Sequence, residues 1–326
     1  MFSNNLIFQL QRLTVQQLRT VAMKCGILNN GNKSELINRI FKEISKTKLI
    51  DKHYTAHRIL SIDMGIRNLA LCSIILPPVV IQDFNLIYYE NFIINEWCKL
   101  SINLENIEND EITKKTHKLT SYSFLAYQLA KSFLEKFQPQ TILIERQRYR
   151  TRNMNTVLEW TIKINMFEHM LHAIFRCFKE EKIWNDPEAD ILSIDPTKIT
   201  SFWLEKNNTI KKNTFINHNL FKNIFTNSRN NDSINLSETP LKSKKEKIKI
   251  VDLLLKANSI FDFKNTQITA DDFISRKKEK NKLKVDDLAD SFLQAVSWII
   301  WEQNKWKLKQ KLQHNKPLDD FINDYT

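Results

Sequence analysis

Three observations predict an α/β fold, a mixed sheet flanked by helices, preceded by a small helical module. The stretch Arg58-Ile59-Leu60-Ser61-Ile62-Asp63 is an apolar run that ends in an acid, and Leu69 to Leu76 runs back beside it after Gly65. Thr141-Ile142-Leu143-Ile144-Glu145 repeats that arrangement between two long stretches of helical periodicity. Residues 13–45 carry two capped helical patterns separated by glycines.

Composition narrows the partner. Lysine plus arginine (49) exceeds aspartate plus glutamate (37) by 12 in this chain of 326 residues. That excess points to a polyanion, nucleic acid first and an anionic membrane surface second. No apolar run is long enough to span a bilayer. Cys25, Cys72, Cys98 and Cys177 are scattered, which argues against a zinc site or a disulfide framework and for a reducing compartment. Met1 to Leu13 holds one arginine and no acid, a composition compatible with an organellar presequence.

The N-terminal module is read from its caps. Thr14 with Gln17, and Asn32 with Glu35, have capping-box spacing. Leu18, Val21 and Ala22 form one apolar stripe; Leu36, Ile37, Ile40, Phe41 and Ile44 form another. Gly26 ends the first helix and Gly31 shapes the connection. The string from Leu13 to Ile40 resembles a SAP motif, a small helical DNA-binding unit. That resemblance makes Arg19, Lys24, Lys33 and Arg39 candidate phosphate contacts. The module is assigned to residues 1–48 and a polar linker to 49–57.

Along the rest of the chain, Phe84 to Ile94 reads as a third strand and 98–113 as loop. Helices are expected from Lys114 to Phe137 and from Asn153 to Lys182, and a last strand from Asp190 to Asp195. His169 and His172 are read as ordinary polar helix positions. After Glu145 come Arg146, Arg148, Arg150 and Arg152, which share one side of an extended segment. Four guanidinium groups exceed what one carboxylate needs, so they read as a phosphate clamp. Lys198, hydroxyls and an exposed-looking aromatic within the stretch Ser193 to Trp203 lie near the same edge. Residues 204–247 read as a flexible Asn/Lys-rich insertion whose lysines, Lys242, Lys244, Lys245 and Lys247, are a solvated charge run or backbone contacts. A helix is expected from Ile248 to Ala257. Leu288, Phe292, Val296 and Ile299 give the core stripe of a C-terminal helix opened by Asp286, Asp287 and Asp290. Helix-start aspartates serve capping, but Asp290 lies a turn inside, beside the apolar stripe.

Acids at two strand ends and one helix start point to a metal centre. The order of elements is that of the ribonuclease H-like fold, in which the first and fourth strands lie parallel and adjacent. Asp63 and Glu145 then meet at their carboxyl ends, where open α/β sheets place their sites. Such acids are not all ionised without cations, and hard oxygen ligands select Mg²⁺ or Mn²⁺. The reading requires Asp63, Glu145 and Asp290 to converge in a pocket open to solvent.

Four stretches, Ile62 to Ala70, Ile144 to Arg152, Asp195 to Trp203 and Asp286 to Leu293, resemble the fungal mitochondrial Holliday junction resolvases, relatives of bacterial RuvC. The resemblance assigns 58–312 to a resolvase domain and 313–326 to a tail. It implies a Mg²⁺-dependent endonuclease, with Mn²⁺ able to substitute and two ions per site, that nicks two opposed strands of a four-way junction and leaves 5′-phosphate ends. It implies a homodimer in the mitochondrial matrix acting in DNA recombination, with no membrane and no small-molecule cofactor. Asp63, Glu145 and Asp290 become metal and catalytic residues, with Asp286 or Asp287 as the fourth. Arg67, Arg146, Arg148, Arg150, Arg152 and Lys198 join Lys33 and Arg39 as DNA contacts. The competing readings are a non-catalytic SAP-type architectural protein and a nuclease for RNA–DNA hybrids. A sugar kinase or actin-like ATPase needs glycine-rich phosphate loops, and no glycine follows Gly65.

Overall fold

Alternation along the strands sorts the core onto two faces of one sheet. A computed structural model describes residues 2–46, 56–65, 69–78, 80–83, 86–88, 92–101, 118–147, 159–184, 186, 188–204, 240–256, 261–264, 266–278 and 285–323. The strands are β1 (His57–Asp63), β2 (Leu69–Leu76), β3 (Val80–Asp83), β4 (Leu86–Tyr88), β5 (Phe92–Leu100), β6 (Thr141–Glu145), β7 (Asp190–Ile194) and β8 (Phe261–Phe263). The helices are α1 (Phe2–Gln11), α2 (Val15–Lys24), α3 (Lys33–Lys46), α4 (Lys118–Phe137), α5 (Glu159–Glu180), α6 (Pro196–Leu204), α7 (Pro240–Lys256), α8 (Ala270–Lys278), α9 (Val285–Gln313) and α10 (Asp319–Asn323).

The main sheet has the order β7-β6-β1-β2-β5-β8. β2 is antiparallel to both neighbours, while β6 runs parallel to β1 and β7. Leu60, Ile62, Ile142 and Ile144 point to one face and pack with α4 and α5 through Phe133, Phe167 and Phe175. Ile59, Leu143, Cys72 and Trp97 point to the other, against α9 and its neighbours. Asp63 follows the parity of Ile59, and Glu145 that of Leu143, so both acids belong to the α9 face. The parallel register brings Ile62 opposite Ile144, one residue before each acid.

α9 has 29 residues, about 44 Å at helical rise, and crosses that face. It is buried almost all round, including Trp298, Trp301 and Trp306. Ser61 Oγ donates to the Ser291 carbonyl at 2.7 Å, and Trp97 Nε1 donates to that of Leu288 at 3.1 Å. The Trp97 ring also stacks on Phe273, centroids 5.0 Å apart.

Several expectations need correction. The third strand of the sheet is β5, ending at Leu100, because Trp97 supplies the buried anchor; the earlier segment forms the separate β3–β4 pair. β7 is followed by a short β8 paired with β5. α7 begins at Pro240, inside the stretch read as an insertion; residues 205–239 lie outside the described residues. Trp203 is buried, its Nε1 donating to Ser297 Oγ at 2.6 Å. Outside these corrections, Phe2–Gln11 forms α1 and Asp319–Asn323 forms α10.

The N-terminal helices share a core with the C-terminal end. Leu18, Val21, Leu36 and Ile40 pack with Leu308, Leu312, Phe321 and Ile322. Thr14 and Gln17 form the expected capping box. Gly26 has φ +63°, and a Cβ there would strike the Trp301 ring. Lys24 is buried, its ammonium donating to the Phe321 and Ile322 carbonyls at the end of α10, which removes it from any phosphate. Gly26→Ala therefore combines a strained φ with a clash, and we expect a loss of about 1–3 kcal/mol, read by urea denaturation.

Candidate active site

Three elements deliver carboxylates to the carboxyl edge of β1 and β6. Asp63 is 9% exposed. Burial, then the neighbouring charge of Glu145 and a hydrogen bond with it, then Asp290 and Asp287, hold its carboxyl well above the usual range. Asp290, one turn into α9, is pushed up to about 6, by burial first, with Lys247 opposing and Glu145 and Asp286 adding.

The α9 acids each meet a lysine. Asp290 pairs with Lys247 at 2.7 Å and Asp286 with Lys244 at 2.5 Å, both lysines from α7. Asp287 pairs with Lys99 of β5 at 2.9 Å. The site nevertheless stays open: the side chains of Asp286, Asp287 and Asp290 are 15%, 22% and 24% exposed. Among the described residues, no three acids, histidines or cysteines are gathered closely enough to hold an ion as they stand. The donor set is all oxygen, and burial has left Asp63 and Asp290 short of compensating charge, so its chemistry fits a hard divalent cation.

The frame beneath the acids is hydrogen-bonded. Gln294, one helical turn past Asp290, is buried, and its Nε2 donates to the Ile62 carbonyl at 3.3 Å and the Leu143 carbonyl at 3.1 Å. One amide thus joins α9 to both acid-bearing strands. Behind β6, the buried Glu168 of α5 accepts from the Gln147 N–H at 2.9 Å, and burial raises its carboxyl.

Residues 59–308 match the family model described as mitochondrial resolvase Ydc2 / RNA splicing MRS1. The chain belongs to this family. Residues 9–40 match the SAP domain. The mitochondrial cruciform cutting endonuclease 1 of Schizosaccharomyces pombe is 26% identical over 87% of this chain and 91% of its own. Its Saccharomyces cerevisiae namesake is also 26% identical, over 88% of this chain and 82% of its own. The crystal structure of the yeast mitochondrial Holliday junction resolvase Ydc2 superposes with a TM-score of 0.53 at 22% identity, covering 96% of this chain and 99% of that one. That likeness establishes the shared fold.

The basic candidates of this family member divide by environment. Arg146 is 53% exposed on its side chain and paired with Asp195, which also accepts from the Thr197 N–H at the start of α6. Lys198 is half-buried; burial lowers its pKa, followed by the charge of Lys305. Lys33 is exposed. Arg39 spends donors on the Leu28 and Asn30 carbonyls, bracing the loop of the N-terminal module. Arg67, Arg148, Arg150 and Arg152 lie outside the described residues. His169 Nδ1 bonds the Asn165 carbonyl, and burial lowers His172.

Sequence reasoning passed over Lys99, Glu168 and Gln294, and read Lys247 only as a backbone contact or solvated charge. A signal existed for two of them. Lys99 shares strand parity with the buried Trp97, and Glu168 falls between Ile164 and Leu171 on an apolar stripe. A charged residue on a buried face asks for a partner.

Two outcomes follow. A carboxyl raised in the folded state stabilises below its unfolded value, near 3.8 for Asp63, and that stability is lost as pH rises through the folded value. The metal-free Asp63→Asn protein should therefore gain on wild type from pH 5 to pH 8, reaching about 1–2 kcal/mol in urea titrations with EDTA. Gln294→Leu keeps the volume but cuts the link between α9 and the strands. It should lower Mn²⁺ affinity about 10–100-fold by calorimetry, while junction binding in EDTA is unchanged.

Proposed function

We propose that this chain is a structure-selective endonuclease that resolves four-way DNA junctions by paired nicks in opposed strands, leaving 5′-phosphate ends. The observation that carries the reading is the convergence of Asp63, Glu145 and Asp290, from β1, β6 and α9, at one solvent-open edge in a chain of this family. The names of the relatives, cruciform cutting endonuclease and mitochondrial, supply the substrate and the compartment. The matching family model also names an RNA splicing protein. Binding RNA alone has no use for acids held together at such electrostatic cost, and that cost favours the nuclease.

In this reading Asp63, Glu145, Asp290 and either Asp286 or Asp287 hold Mg²⁺ or Mn²⁺. The bound cation supplies Lewis acidity at the phosphoryl oxygen and makes an attacking water more acidic. Asp63 and Glu145 would offer their oxygens from the two strand ends, and Asp290 from α9. Gln294 fixes the spacing of these three elements, and Glu168 fixes the backbone that follows Glu145. Arg146 at the sheet edge, and Lys33 on the N-terminal module, meet phosphates and set the path of the arms.

Two opposed nicks need two such sites, so the working unit is a homodimer. Phe124 of α4 and Ile162 of α5 are large apolar side chains left 59% and 51% exposed, and are candidates for the face between copies.

The test is cleavage of a synthetic four-way junction by the full chain in Mg²⁺, with linear duplex beside it. Wild type should nick the junction symmetrically and spare the duplex. Asp63→Asn should bind the junction as tightly and cut it on the order of 1,000-fold more slowly. Equal cutting by Asp63→Asn, or equal cutting of duplex, removes the reading. Binding should weaken steeply with salt, as engagement of many phosphates requires.

A further inference from the structure

The five acids do not face the solvent alone. Lys244, Lys247 and Lys99 answer Asp286, Asp290 and Asp287, whereas the strand acids Asp63 and Glu145 answer each other. Arg146 beside Glu145 is paired with Asp195 and so cancels locally. The three lysines are not equivalent. Lys244 is 57% exposed, at the rim. Lys99 belongs to β5 and pairs with Asp287. Lys247 is only 14% exposed and bonds Asp290, the α9 acid whose carboxyl is raised by burial and by Glu145. Its ammonium occupies an Asp290 oxygen that a cation would also use.

Resting on the nuclease reading, we propose that Lys247 is a built-in stand-in for one of two cations. The DNA-free chain then takes up one divalent ion, at Asp63 and Glu145, and admits a second only when the Lys247 ammonium leaves Asp290. An ammonium and a divalent ion compete for the same oxygens, and the low dielectric of a half-buried site sharpens the competition. A DNA phosphate offers the displaced ammonium a new anion, which ties full loading of the site to the presence of substrate.

Mn²⁺ alone is titrated into the full-length, DNA-free chain, with free Mn²⁺ followed by electron paramagnetic resonance and heat by calorimetry. Wild type should bind one ion per chain. Lys247→Met should bind two, and Lys247→Arg, which keeps the charge, should return to one. Lys244→Met, altered at an exposed side chain, should stay at one and controls for folding together with circular dichroism. The Lys247→Met protein should melt earlier than wild type in EDTA and regain the difference in Mn²⁺. Two ions in wild type, or one in Lys247→Met, overturns the stand-in role and leaves the nuclease reading intact. Junction cutting by a wild type that binds no Mn²⁺ without DNA also overturns the stand-in role alone. Absence of both Mn²⁺ binding and junction cutting removes the nuclease reading and the inference together.

Discussion

Repulsion between carboxylates is the constraint that the rest of this structure answers. Parallel pairing of β1 with β6 sets Asp63 beside Glu145, and the first two turns of α9 add three more acids. Such a cluster costs folding free energy unless protons, ammoniums or metal ions compensate it. The ammoniums are on view, three lysines from two other elements, while burial beside Glu145 raises the Asp63 carboxyl. The cost is tolerable because the frame beneath is rigid. A sheet with both faces covered and a helix buried almost all round leave the acids nowhere to retreat.

α9 is the element that converts topology into a site. It brings its acids to the sheet edge at one end, and Ser291 and Gln294 fasten it to β1 and β6 a turn later. Farther along, Trp301 closes against Gly26, and Leu308 and Leu312 complete the core of the N-terminal helices. A metal site depends on ligand positions held to a fraction of an ångström. The long helix makes that geometry a property of the whole chain rather than of a loop.

Much of this was legible in the residues. Strand alternation and the terminal acids gave β1, β2 and β6, and with them the face on which Asp63 and Glu145 meet, because parity is local and strict. Asp290 stood out since neither capping nor the helix dipole accounts for an acid a turn inside. The third strand was misplaced because the hairpin residues 80–88 carry the same β-rich composition as β5, and only the distant Phe273 and Phe292 single out Trp97 as the anchor. The lysines were read as solvated because a lysine in a charged run carries no mark of its partner; that Lys247 lies over Asp290 depends on how α7 packs on α9. Lys24 matched its motif and yet is buried, since α10 comes from the opposite end of the chain.

That last contact bears on how the chain is made. The N-terminal helices leave the ribosome first, but Leu308, Leu312, Phe321 and Ile322 belong to their core. At typical elongation rates, roughly 15–60 s separate the synthesis of the two halves of that core. During this interval Leu18, Val21, Leu36 and Ile40 lack their final cover, so the core of these helices closes only when the far end of the chain arrives.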